Sequence, residues 1–271
     1  MSFRTAERKK LQDCYDAPQN MIVMLYGSIT SGMDKLIAEF VSDKKYFYYS
    51  ARQASAKEQY EQMKREVSQK FDTALTRGDY NEIFNRVKSG DPSKLVVVIN
   101  NFELIVKKDP EFIKSIVKLK QKRLYPGPVM IILATSSLVF AENDMEDCLL
   151  DAARAIDSRI RLKNLEFLDV VRHFPDTSVR DCVKIYGVMG GASAYLDLWD
   201  AKKDVKANVC ELILSKSGKL HNAARDYLYS ELRELAFYDT ILYHVAMGSN
   251  KLNELFHDTG FSRAKILVYM K

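Results

Sequence analysis

Two kinds of apolar pattern organise residues 1–163. Continuous apolar runs at Met21–Tyr26, Leu95–Ile99 and Val129–Ala134 have the character of parallel strands buried on both faces. Lys45–Ser50 and Arg159–Leu162 add two shorter strands. Between these runs the apolar residues recur at helical spacing. The pattern predicts a helix over 3–16, with Phe3, Leu11 and Tyr15 inward, and another over Asp34–Ser42, with Leu36, Ile37 and Phe40 inward. Residues 55–88 form a charged helical stretch, and Pro110 to Arg123 a further helix. Gly90-Asp91-Pro92-Ser93 and Tyr125-Pro126-Gly127-Pro128 read as breaks. Strands alternating with helices predict an α/β fold with a mainly parallel, doubly wound sheet. After Lys163 only helical patterns follow: Phe167–Phe174, Val179–Tyr186, Ala194–Trp199, 204–215, 222–246, and a tail divided at Gly260.

Composition narrows the picture only a little. The 271 residues are 47% hydrophobic and 28% charged, enough for a substantial core, and 11 Gly with 6 Pro argue against long linkers. A net charge of +5 permits nucleic acid or acidic partners without requiring them. Cys14, Cys148, Cys182 and Cys210 are scattered, as are His173, His221, His244 and His257, so neither zinc nor a disulfide framework is expected. Reduced thiols, a polar N-terminus and the lack of a membrane-length apolar run lead to the expectation of a cytoplasmic protein with no metal and no membrane partner.

The candidate chemistry sits after the first strand. Gly27-Ser28-Ile29-Thr30-Ser31-Gly32 has the G-x-x-x-x-G outline of a phosphate-binding loop, between a buried strand and an apolar helix. Such a loop works because backbone N–H groups and a helix N-terminus face the phosphates, a lysine neutralises charge, and a Ser or Thr binds magnesium. Those two side-chain positions are Met33 and Asp34. Met33 brings no charge, and Asp34 would repel a phosphate. Lys35 stands one residue late, a rotation of ~100° on a helix, which aims it away from the loop mouth unless the register shifts.

A phosphate site also needs acidic residues at the end of a second strand. Leu95–Ile99 leads instead into Asn100 and Asn101, two amides that cannot abstract a proton and ligate magnesium poorly. The third strand ends in Thr135-Ser136-Ser137, where Ser136 could sense a phosphate or, equally, cap the next turn. The outline of both motifs persists while the ionic groups of both are absent. Hydrolysis is therefore not expected from Met33, Asp34, Asn100 and Asn101. If ATP is held at all, the cradle is Gly27 to Lys35 with Ser136, and magnesium is not expected.

In this setting the chain resembles the archaeal-type ATPase family, a branch of the P-loop NTPases close to the AAA+ and STAND proteins. Leu25-Tyr26-Gly27 is similar to its strand into the loop, and Lys94 to Leu104 to its acidic strand. Arg161 to Asp169, Phe174-Pro175-Asp176, Tyr186 to Leu196, which holds Tyr186-Gly187-Val188-Met189-Gly190-Gly191, and Glu231 to Glu234 are similar to landmarks of its later part. The resemblance implies an ATP-binding P-loop NTPase-type α/β domain over 1–163, a helical lid over 164–230 and a partial winged-helix module over 231–271. It also implies an arginine just before the last strand, for which only Arg154 or Arg159 is near. Within 231–271, Leu252 to Leu267 has helix-turn-helix spacing, with Gly260 in the turn and Ser262 as N-cap. Ser262, Arg263 and Lys265 are the candidates for DNA phosphates, although the low basic count favours packing against the lid or a protein partner. The chain stops before any wing, as a truncated or shortened member would. The reading is an ATPase-like, non-hydrolysing regulatory or interaction module, with a nucleotide-binding switch and a DNA-binding module as alternatives.

Overall fold

The computed structural model describes residues 4–72, 74–75, 79–87, 94–121, 127–231 and 235–270. The turn expected at 90–93, Tyr125 and Pro126 of the second break, Phe3 and the Leu232–Glu234 landmark lie outside them. The chain divides into two compact units, Met1–His221 and Asn222–Lys271.

In the first unit, α1 (Thr5–Asp16) precedes β1 (Met21–Gly27), α2 (Met33–Val41), β2 (Tyr46–Ser50), α3 (Ala56–Phe71) and α4 (Tyr80–Arg86). Then come β3 (Leu95–Asn100), α5 (Glu103–Val106), α6 (Pro110–Gln121), β4 (Val129–Thr135), α7 (Met145–Leu149) and β5 (Ser158–Leu162). The five strands form one sheet in the order β2-β3-β4-β1-β5, every neighbouring pair parallel. The doubly wound expectation holds. β3 and β4 are buried along their whole length because helices cover both faces, which is why they read as unbroken apolar runs. One face of the sheet packs Ile22, Phe47, Val97 and Ile131 with Phe84, Phe102 and Phe112. The other packs Val23, Leu25, Val98 and Ile132 against Leu36, Ile37 and Phe40 of α2.

Parallel strands bring all C-terminal ends to one edge, where open α/β sheets form their sites. Register places Tyr26 beside Thr135, Asn100 beside Ala134 and Ser50, and Gly27 beside Leu162. The helices that follow are α8 (Phe167–His173), α9 (Val179–Met189), α10 (Ser193–Leu196) and α11 (Val205–Val209), which runs on through a wider turn over Cys210–Leu214. They belong to the same unit as the sheet. Gly191 is needed where α9 ends, since a Cβ there would overlap the Leu165 carbonyl.

The second unit holds α12 (Ala223–Glu231), α13 (Leu235–Ala246), α14 (Leu252–Thr259) and α15 (Arg263–Tyr269). Gly260 ends α14 at φ 69°, a left-handed position suited to glycine, and Ser262 caps α15 by accepting from the Lys265 N–H at 3.2 Å. Its core cluster, among the described residues, is thin: Ile241, Leu255 and Ile266 are buried together, with Leu252, Phe256, Phe261 and Tyr269 around them. Among the described residues no helix is long and apolar enough to cross a membrane.

Candidate functional site

β1 delivers the chain to the sheet edge at Gly27, and the loop Ser28–Gly32 turns it into α2. Gly27 has no room for a side chain: a Cβ would lie 2.8 Å from the Leu162 carbonyl oxygen and 2.9 Å from Ser31 Oγ. Gly32 starts α2 at φ 73°, in the left-handed region. Ser28, Thr30 and Ser31 are buried, and the Ser28 and Thr30 hydroxyls share a 2.9 Å hydrogen bond. Ile29 alone of the loop's inner residues stands out into solvent, half exposed. No side chain caps α2, so its first-turn N–H groups face the open end of the helix.

The three residues that decide the chemistry have three different surroundings. Met33 is buried among Val23, Leu25, Leu36 and Ile37, as the first member of the apolar stripe of α2. Asp34 is exposed, and one carboxylate oxygen accepts from the Asn100 side-chain amide at 3.3 Å. Lys35 turns away from the loop to form a 2.6 Å ion pair with Asp197, just past α10.

Asn100 ends β3 and is buried. Its orientation is fixed from both sides. Its oxygen accepts from the Asn101 N–H at 3.1 Å, while its nitrogen donates to Asp34 and, at 2.9 Å, to the Tyr48 hydroxyl. Tyr48 titrates above its ordinary value, first because it is buried and then because the Asp34 charge is near. Asn101 adopts φ 53°, a left-handed position that asparagine tolerates, and its amide lies 3.5 Å from the Ser50 hydroxyl.

These residues do not fit magnesium. Asn100 presents a donor, not an oxygen, toward Asp34, which leaves one carboxylate where a hard cation needs several oxygen ligands. No group of three or more His, Cys, Asp or Glu able to hold a metal occurs among the described residues. The two glycines and the uncapped start of α2 are in place, whereas Met33, where a phosphate loop carries its lysine, belongs to the core.

Ser136 is half-buried one residue beyond β4. Its neighbours have local roles: Thr135 Oγ1 accepts from the Ser137 N–H, and Ser137 Oγ accepts from the Phe140 N–H. Arg159 pairs with Glu146 at 2.6 Å, and Arg154 stands in solvent beside Asp151. In the second unit, Lys265 Nζ lies 3.3 Å from the Phe237 ring centroid, and Arg263 Nε donates to Asn253 at 3.0 Å while its guanidinium covers Phe256. Four residues next to the loop escape sequence reasoning: Arg4, Tyr48, Ser193 and Asp197. Three lie far from the loop in sequence, and Tyr48 reads as an ordinary strand aromatic. Ser193 carries the nearest thing to a signal, because it stands two residues after the Gly190-Gly191 pair.

No family model matches the chain. A walker-type ATPase of Pyrococcus abyssi superposes with a TM-score of 0.60 at 15% identity, covering 94% of this chain and 82% of that one. The chain has the fold of the archaeal P-loop ATPases. The same fold appears in the Aeropyrum pernix ORC2 protein solved in its ADP form, with a TM-score of 0.56, 13% identity, and coverage of 73% of this chain and 62% of that one. It appears again in the Aeropyrum pernix ORC1 protein solved in complex with DNA, with a TM-score of 0.51 and 14% identity over 96% of this chain and 77% of that one. A curated relative from Methanocaldococcus jannaschii, an uncharacterized protein, is 22% identical over 276 residues. The match takes in 99% of this chain but 59% of that protein, so the chain spans less than two thirds of its relative.

Proposed function

We propose that this ATPase-like chain does not hydrolyse ATP and acts as a regulatory or interaction module. The observation that carries the reading is the Asp34–Asn100 hydrogen bond of 3.3 Å. In a working phosphate loop, the helix residue and the strand residue at these places are tied through a magnesium ion. Here the helix supplies the carboxylate, the strand supplies an amide, and the two meet directly. Met33 in the core removes the cation that would offset the phosphate charge. ATP turnover measured with and without magnesium tests the reading: rates at the no-protein background support it. Magnesium-dependent turnover that disappears in Gly32→Ala overturns it.

A second reading, nucleotide binding without a metal, draws support from the uncapped N-terminus of α2 and the kept glycine frame. A thermal-shift series with ATP, ADP and GTP in the presence of a chelator decides it, because a ligand that binds the folded state raises the melting temperature. For the second unit a protein partner is the better-supported occupant. The cations that would meet DNA phosphates, Arg263 and Lys265, already lie against Phe256 and Phe237, while Leu267, Val268 and Met270 of the same helix end are exposed. The DNA in the Aeropyrum pernix ORC1 complex keeps nucleic acid as the alternative, and binding that weakens steeply with added salt is its signature.

A further inference from the structure

We propose that Arg4 and the start of α10 latch that helix to the phosphate loop, so that loop shape and helix position form one mechanical unit. A loop that turns its N–H groups toward a phosphate seat leaves its carbonyls on the far side. In this chain those carbonyls are taken by donors from two distant parts of the sequence. The Ser31 carbonyl accepts from Arg4 Nη2 at 2.9 Å and from Ser193 Oγ at 2.6 Å. The Thr30 carbonyl accepts from the Ala194 N–H at 3.1 Å. One turn further along, the Lys35–Asp197 ion pair ties α2 to the other end of α10.

Packing and strain agree with the hydrogen bonds. Ser193 Oγ stands 2.5 Å from where a Gly32 Cβ would be, so the serine fills the space the glycine leaves. Ser31 is 1% exposed, and the Arg4 side chain is 5% exposed, held also by Glu7 at 3.2 Å. Arg4 adopts φ 72°, a conformation that L residues rarely take and that persists only where surrounding contacts hold it. A buried guanidinium in a strained backbone, donating to the loop, is a part built for that contact. Ser193 and Arg4 are positioning residues in this account, because they act on the loop from behind.

The chain supplies its own reporter. Trp199 is the sole tryptophan, buried three residues beyond α10, with its backbone N–H donating to the Leu196 carbonyl at 3.1 Å. The test uses the full chain without nucleotide and compares Arg4→Ala, Gly32→Ala, Ser193→Ala and the double Gly32→Ala/Ser193→Ala. Hydrogen exchange over 193–199 and Trp199 emission are the readouts. Arg4→Ala is expected to raise exchange over 193–199 by about tenfold or more while the β3 and β4 amides stay protected, and to shift Trp199 emission to the red. Gly32→Ala is expected to do the same. Its effect on Trp199 is expected to fall by more than half in the Ser193→Ala background, where the clashing oxygen is gone. If Arg4→Ala loosens α1 and residues 28–33 while 193–199 and Trp199 stay as in the unaltered chain, the latch is wrong. Should Gly32→Ala fail to fold, Lys35→Ala takes its place, with a smaller rise over 193–199 expected and no rise counting against the latch.

Discussion

The phosphate loop has two sides, and they have fared differently. Its far side is fully engaged: Gly27 packs against Leu162, and the Thr30 and Ser31 carbonyls accept from Arg4, Ser193 and Ala194. At its mouth, the residues at the positions where a phosphate loop carries its lysine and its Ser or Thr are Met33 and Asp34. Met33 has joined the core, Asp34 bonds Asn100, and Lys35 reaches away to Asp197. The contrast separates two demands that a working site places on the same residues. Glycines and buried hydroxyls answer to packing, and they stay while the sheet and α10 need them. Charges at the mouth of a working site answer to a ligand; here Asp34 and Lys35 have partners within the protein.

Substitutions on the two sides can break or sharpen that contrast. The largest effect belongs to the packed side: Gly27→Ala puts a Cβ 2.8 Å from the Leu162 carbonyl and is expected to cost about 3 kcal/mol in equilibrium unfolding. Met33→Lys comes next. A position still shaped for lysine would accept it freely, whereas a core position loses its apolar contacts and must snorkel the amine outward, for about 2 kcal/mol. Asn100→Asp sets a second carboxylate beside Asp34 and is expected to cost about 1–2 kcal/mol at neutral pH. One of the two acids then titrates above its unfolded value, so the penalty fades as the pH falls through that raised value; denaturation at pH 4 and 7 checks the sign. Tyr48→Phe has the smallest effect, under about 1 kcal/mol at neutral pH, because Asn100 keeps Asp34 as a partner. Since the folded state holds the Tyr48 proton above its ordinary value, the native protein loses stability as pH rises past about 10. Removing the hydroxyl should flatten that alkaline loss.

Much of this fold is legible in the sequence, for physical reasons tied to particular stretches. Leu95–Ile99 and Val129–Ala134 read as central strands because burial on both faces forces unbroken apolar runs, and the sheet places them there. The turn at Gly260 and the cap at Ser262 are equally direct, since each rests on a local backbone need. The end of α9 is less so: the Val179 helix runs on to Met189, because Gly187 inside it is tolerated while Gly190 at φ 59° is what stops it. At the site, the loop's outline and its missing charges are visible in one line of residues. Its surroundings are not. Arg4 and Ser193 meet at Ser31 only because α1 and α10 both come to that edge of the sheet, and no local pattern records a contact made across the fold. Met33 is instructive in the same way. As the residue after Gly32 it reads only as a missing lysine; the structure begins α2 there, one residue before the expected start, and buries it as the first of an i, i+3, i+4 apolar stripe with Leu36 and Ile37.

A hydrogen bond from Asn100 to Asp34 ties α2 to β3 in the place where a phosphate loop at work uses a metal. Thermal unfolding of the chain, titrated with magnesium with and without saturating ATP, checks what that tie means. The expected melting temperature is the same with magnesium as with a chelator, whether or not ATP is present. A rise of several degrees that requires ATP and magnesium together would contradict it.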